Sequence, residues 1–177
     1  MSTASRKVRA IAAGSAVVGL GAALTLAAWS DSEFARGTFS TANFGIQGAA
    51  GDNNFADHPT EAEALTLAFS PAQPMQPGQT VFQPYQLKNI ENGVDSTVTL
   101  TSETKSGNLP LNAQVIKTAN TTCDANTTGE QVNVGGSFDL TGQAVQNFCI
   151  KVTLDQAYEG QGESNDIVWR FDAAPKN

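Results

Sequence analysis

The chain has 177 residues, with 17 Asp and Glu against ten Lys and Arg, which gives a formal net charge of −7. An acidic chain repels phosphate, so we expect no nucleic-acid partner. The chain also has only two cysteines and one histidine, which is too few for a structural zinc site with four such ligands.

The first 28 residues have the three regions of a secretory signal peptide. A basic patch, Arg6 to Arg9, precedes an uncharged run from Ala10 to Ala28. Small residues before a polarity change suit a signal peptidase, so we expect cleavage between Ala28 and Trp29. A retained membrane anchor is the alternative, because the run is close to the ~20 residues that a span needs. With cleavage, the protein is secreted and keeps no stable membrane span.

The chain that remains after cleavage is strongly acidic. Residues 1–28 hold three of the ten basic residues and no acidic ones, which leaves a formal charge of −10. Such a charge keeps a secreted protein soluble and makes its self-association depend on salt or divalent ions. The remaining length fits one domain with a real core.

Alternating apolar and polar residues predict a series of short strands. The clearest are 64–70, in which Leu65, Leu67 and Phe69 share a face, and 147–154, in which every second residue is apolar. Pro84 lacks an N–H, so its strand is expected at a sheet edge or with a bulge. The predicted strands are 42–47, 64–70, 80–88, 96–103, one within 109–118, 135–142 (a short strand or a turn), 147–154 and 167–173.

These strands, joined by turns rich in Gly, Pro and Asn, predict an all-β fold, an antiparallel β-sandwich over residues 47–177. Periodicity leaves both jelly-roll and immunoglobulin-like topologies open.

The two cysteines, Cys123 and Cys149, are expected to form a disulfide in an exported protein. Cys149 belongs to the non-core face of its predicted strand, so the bridge would fasten the polar loop around Cys123 to that face. Two reduced thiols are the alternative.

Three stretches resemble the TasA/camelysin family, which comprises secreted proteins of Gram-positive bacteria that a SipW-type signal peptidase processes. They are Ala27 to Asp31 with the following Gly37-Thr38-Phe39-Ser40; Met75 to Thr80 leading to Asn92-Gly93; and Tyr158 to Gln161 with 167–171. No likeness extends to residues 103–142. The resemblance implies a jelly-roll sandwich, a fibre of the extracellular matrix, and a partner that is another copy or a related matrix subunit.

The residues offer little for catalysis, and we expect no enzyme, cofactor or metal centre. The single histidine, His58, stands in an acidic loop, and neither a nucleophile elbow nor a His-Glu-x-x-His motif is present. Asp52, Asp57 and Glu61 belong to a cluster of acids that favours, at most, weak cation binding.

The sequence therefore predicts a structural protein of the extracellular matrix or cell surface. An unpaired sheet edge can accept a strand from a neighbour. The predicted donor is the segment 29–46, with Trp29, Phe34, Phe39 and Phe44 as the side chains that enter an acceptor groove. The alternative is a monomeric secreted adhesin or carbohydrate-binding module on the same fold.

Overall fold

The computed structural model describes residues 34–38, 41, 43–70, 74–161 and 165–176. The chain divides into two units, Met1–Ser40 and Thr41–Asn177. In the first unit, the described residues 34–38 are exposed and belong to no helix or strand. The predicted signal peptide, its cleavage site at Ala28 and Trp29, and Phe39 lie outside the described residues.

The second unit is built from strands, with one 3-10 helix of three residues (Glu61–Glu63). The strands are β1 (Ile46–Ala49), β2 (Thr80–Asn89), β3 (Ser96–Ser106), β4 (Leu111–Thr118), β5 (Glu130–Val132), β6 (Ser137–Leu140), β7 (Gln146–Leu154) and β8 (Asp166–Pro175).

The strands form two antiparallel sheets, in the orders β1-β2-β7-β4-β5 and β6-β3-β8. The apolar faces of both sheets enclose one core, so the predicted all-β sandwich is confirmed. The buried core side chains are Val81, Leu87, Val98, Leu100, Val115, Val132, Phe138, Leu140, Phe148, Ile150 and Val152.

The strand pairing is nested, and this identifies the topology. β4 pairs with β5, β3 with β6, and β2 with β7. Each pair encloses the previous one in sequence, so these strands form one long antiparallel hairpin rolled into two sheets, which is a jelly roll. One further step of the same nesting places the chain that precedes β2 beside β8.

The two sheets are joined at one end by a buried polar cluster. Asn89, fully buried at the end of β2, donates from Nδ2 to the carbonyls of Leu140 (3.1 Å) and Gly142 (2.9 Å). Its Oδ1 accepts a hydrogen bond of 2.6 Å from the Ser96 hydroxyl in β3. Because every polar atom of the Asn89 side chain has a partner, burial of the amide carries little penalty.

The predicted strand 64–70 is wrong. Leu65, Leu67 and Phe69 are half-buried between exposed neighbours, so the alternation is real, but the segment joins no sheet. Its one ladder contact is an isolated bridge between Ser70 and Phe82. Period two reports that one face of an extended chain packs on the core, and that packing does not require a paired backbone.

The expected edge position or bulge at Pro84 is also wrong, because β2 is an interior strand with unbroken register to β7. The N–H and C=O of Phe82 both bond to Ser70. Alternate residues direct their backbone groups to the same side, so Pro84 faces that side too. There β1 pairs only with Gln86 to Asn89, and no described strand requires an N–H at position 84.

The predicted disulfide is confirmed. Cys123 and Cys149 are bonded, with their Cα atoms 5.0 Å apart. Cys149 is fully buried, although it is absent from the core cluster and alternates along β7 with Phe148 and Ile150, which belong to it. The bridge therefore fastens the polar loop to the outer face of the larger sheet, where Lys151 Nζ also donates to the Thr127 carbonyl (2.7 Å).

We expect removal of this bridge to lower the free energy of unfolding without changing the fold. The cysteines are 26 residues apart, and a loop of this size contributes about 3–4 kcal/mol in the chain-entropy model. Cys123→Ala with Cys149→Ala avoids placing a hydroxyl in the buried site. Urea unfolding of this double variant measures the loss, with Thr122→Ser in the same loop as the control. An unchanged unfolding free energy would contradict the expectation.

Candidate functional site

A cleft of about 2000 Å³ lies along one side of the sandwich. Its floor includes Val81 of β2 together with Ile150 and Val152 of β7, and β8 contributes Ile167 and Phe171. These side chains belong to the core or pack against it. The cleft is therefore a continuation of the interior that the two sheets leave open.

An aromatic group lies where the cleft meets the core. Tyr85 stacks on Phe171, with ring centroids 5.6 Å apart, and lies 6.2 Å from Phe148. Tyr85 also approaches the backbone closely, since a Cβ at Gly48 would lie 2.8 Å from the phenol oxygen. Burial raises the pKa of Tyr85 well above its usual value of about 10.

β8 forms one wall of the cleft and is an edge strand. It pairs with β3 over its whole length, and no described strand pairs with its other side. The Trp169 indole is fixed by a hydrogen bond of 3.0 Å from Nε1 to Glu103 Oε2. This edge is the position where the nested order of the jelly roll places one more strand.

An extended segment crosses the cleft, and we name residues 64–70 the strap. Leu65, Leu67 and Phe69 line the cleft, and the latter two pack against the core. The Phe69 ring lies 6.3 Å from the ring of Trp169 in β8. The strap thus reaches the β8 wall through side chains.

Polar groups surround the apolar part of the cleft. Asp57, Glu61, Glu159 and Asp166 are among the lining residues, so the rim is acidic. Asn165, just before β8, accepts a hydrogen bond from the Leu109 N–H (3.4 Å), while its buried Nδ2 has no acceptor among the described residues.

The residues predicted for assembly fall into three groups. Trp29 and Phe39 are not among the described residues. The side chain of Phe34 is 93% exposed. Phe44 is 42% exposed and lines the cleft of its own unit.

The last residues of the predicted donor segment are held within the second unit. Asn43 pairs with Gly93, and its carbonyl accepts from the Val94 N–H (3.1 Å). The Gly45 carbonyl accepts from the Ile90 N–H (3.0 Å). The part of the segment that precedes Asn43 has no such pairing among the described residues.

Three further questions from the sequence concern His58, a metal site and a membrane span. His58 is half-buried in the loop before the 3-10 helix and lines the cleft. Across the residues that the structure describes, no three His, Cys, Asp or Glu side chains come together to hold a metal ion. Within the same ranges, no helix has the length and apolar character to cross a membrane.

No protein-family model matches the chain, and no curated protein matches it.

The Tyr85 environment predicts a loss of stability in alkaline solution. The phenol stays neutral in the folded protein while it ionises near pH 10 in the unfolded chain, so the unfolding free energy falls as pH rises above about 10. One such group contributes at most about 1.4 kcal/mol per pH unit, and the value is smaller here because Tyr85 as a whole is half-buried. In Tyr85→Phe, the unfolding free energy measured in urea should fall less steeply with pH above about 10 than in the wild type. Equal slopes for wild type and variant would refute this account of Tyr85.

Proposed function

We propose that the protein is a secreted structural component of the extracellular matrix or cell surface, and that copies assemble into fibres by exchange of an N-terminal strand. The observation that carries this proposal is the outer edge of β8, which pairs with no described strand and lies beside an apolar cleft. Edge strands bind added strands through their free backbone groups. Strands β2 to β8 supply seven strands of the jelly roll, and the nested order places one more strand beside β8.

The donor is the chain before Asn43 of another copy. The 14 residues from Trp29 to Ala42 span at most about 46 Å when extended, which is enough to follow the ten residues of β8. Charges lie at Asp31, Glu33 and Arg36, whereas residues 37–42 carry none. The uncharged part, centred on Phe39, is therefore the part suited to the apolar cleft.

Side-chain alternation selects which aromatic enters the cleft. In an extended strand, Phe34 and Phe39 are five residues apart and face opposite sides. If Phe39 faces the cleft, Phe34 faces away. Burial of one Phe side chain contributes about 2–3 kcal/mol, and each backbone hydrogen bond to β8 adds about 0.5–1.5 kcal/mol net.

Assembly of this kind is directional. The donor segment and the acceptor cleft are different surfaces, so the contact is heterologous and repeats from copy to copy into a filament. Cleavage after Ala28 produces the free N-terminal end, which ties assembly to export. The signal-peptide pattern supports secretion, and the Cys123–Cys149 disulfide is consistent with an oxidising location.

The resemblance of three stretches to the TasA/camelysin family supports the same proposal. On that analogy, a SipW-type signal peptidase releases the mature chain, and the fibre partner is another copy or a related matrix subunit. The acidic mature chain makes assembly faster at higher salt, because screening reduces repulsion between copies.

We expect the mature chain that starts at Trp29 to form filaments, and the form that starts at Thr41 to remain monomeric because it lacks the donor. Thr41 is the first residue of the second unit, so this truncation leaves the sandwich intact. Light scattering and negative-stain microscopy follow assembly, and circular dichroism confirms that both forms are folded. Filaments from both forms would refute the role of the segment, and monomers from both would refute self-assembly.

Single substitutions within the donor test its register. Loss of about 2–3 kcal/mol on Phe39→Ser should raise the critical concentration roughly 30- to 150-fold. Phe34→Ser is the matched change on the opposite face and should have a much smaller effect. A free peptide of residues 29–42 should block assembly by filling clefts, and the same peptide with Phe39→Ser should not. Equal effects of the two substitutions would overturn the proposed register.

A further inference from the structure

The strap occupies part of the space that an incoming strand requires. Three of the strap residues that line the cleft, Leu65, Leu67 and Phe69, are half-buried at every second position between exposed neighbours. An added strand on β8 presents side chains to the same cleft with the same period of two. A donor that pairs with β8 and the strap in its present position would therefore compete for one apolar volume.

The strap also has the place in sequence that the fold assigns to the strand beside β8. It immediately precedes the connection to β2, and the nested pairing puts the chain before β2 next to β8. Phe69 approaches Trp169 of β8 to 6.3 Å between ring centroids. The strap thus fills the apolar side of that position, while no described strand pairs with the backbone edge of β8.

The backbone of the strap is held weakly. Ser70 exchanges two hydrogen bonds with Phe82, of 2.9 and 2.7 Å, and Ala64 donates to Glu61 at the other end. Between them, residues 65–69 form no backbone hydrogen bond with any described residue. Side chains alone retain the middle of the strap, and segments with few backbone bonds open at lower free energy than sheet strands.

We propose that the strap is a displaceable plug, which covers the cleft in the monomer and is expelled by the donor segment of a second copy. This inference rests on the proposed function, and it adds an energy barrier to assembly, because the strap must leave before the donor can bind. Strap side chains cover the apolar floor before assembly, which protects the monomer from nonspecific association. The donor replaces them because it supplies apolar side chains and also pairs with the backbone of β8.

Thiol labelling measures displacement directly. Leu67→Cys and Ala68→Cys, each in the mature chain starting at Trp29, place a thiol on the inward and the outward face of the strap. We expect Cys reactivity at position 67 to be at least about tenfold greater in filaments than in monomers, since displacement exposes it. Position 68 is exposed already and should react at similar rates in both. Both native cysteines are in the disulfide, so the new thiol alone reacts.

Assembly kinetics provide the second measurement. Leu67→Ser weakens the plug and should shorten the delay before filaments appear by about tenfold, whereas Ala68→Ser at the exposed neighbouring position should leave it unchanged. Thermal unfolding confirms that each variant is folded before assembly begins.

The outcomes separate the two proposals. If the wild-type mature chain forms no filaments, the proposed function fails and the plug fails with it. If filaments form while position 67 stays as protected as in the monomer, strand exchange stands and the plug is overturned. Faster labelling at position 67 in filaments, with position 68 unchanged, supports the plug.

Discussion

The backbone of β8 sets the main constraint on this molecule. Peptide N–H and C=O groups need partners, and the rolled hairpin supplies them pair by pair from β4 and β5 outward to β2 and β7. β8 comes after the last complete pair, so it gains β3 on one side and no described strand on the other. The cleft, the strap and the free edge all follow from this unfinished step, because the apolar floor beneath β8 lacks the strand that would cover it.

The two ends of the core are closed by different kinds of interaction. Beside β6, the buried amide of Asn89 donates to a carbonyl of β6 and to one in the turn that follows it, and accepts from Ser96, so the sheets are joined by polar contacts with fixed geometry. Beside β8, Leu67 and Phe69 close the gap by packing alone. Hydrogen bonds prescribe distance and angle, whereas apolar packing is non-directional. A different apolar segment can therefore replace the strap beside β8 more readily than it could replace the Asn89 contacts.

The alternation of residues predicted most of the fold. One face is buried along most of β7 and partly buried in β8, so period two identified both strands and their inward residues, including Ile167, Trp169 and Phe171. The disulfide was predicted from the two cysteines of an exported chain, and its position outside the core from the face of Cys149. β5 has only three residues, with a single buried one, and left no readable pattern.

The strand prediction for the strap failed because periodicity reports which side chains are buried and says nothing about backbone partners. The cleft was not predictable, since it depends on which strands become neighbours after residues far apart in sequence have paired. Pro84 shows the same limit, because a proline is tolerated in an interior strand where the neighbouring strand stops short of it.

The brevity of β1 has a mechanical consequence. In a fibre joined by donor segments, tension passes from one subunit to the next along the chain before Asn43. It then enters the sandwich through the Asn43–Gly93 bridge and the four residues of β1. These few hydrogen bonds precede β2 and the disulfide along the path of the chain. In the proposed fibre, the short strand β1 and the Asn43–Gly93 bridge are therefore the first part of the domain to come under tension.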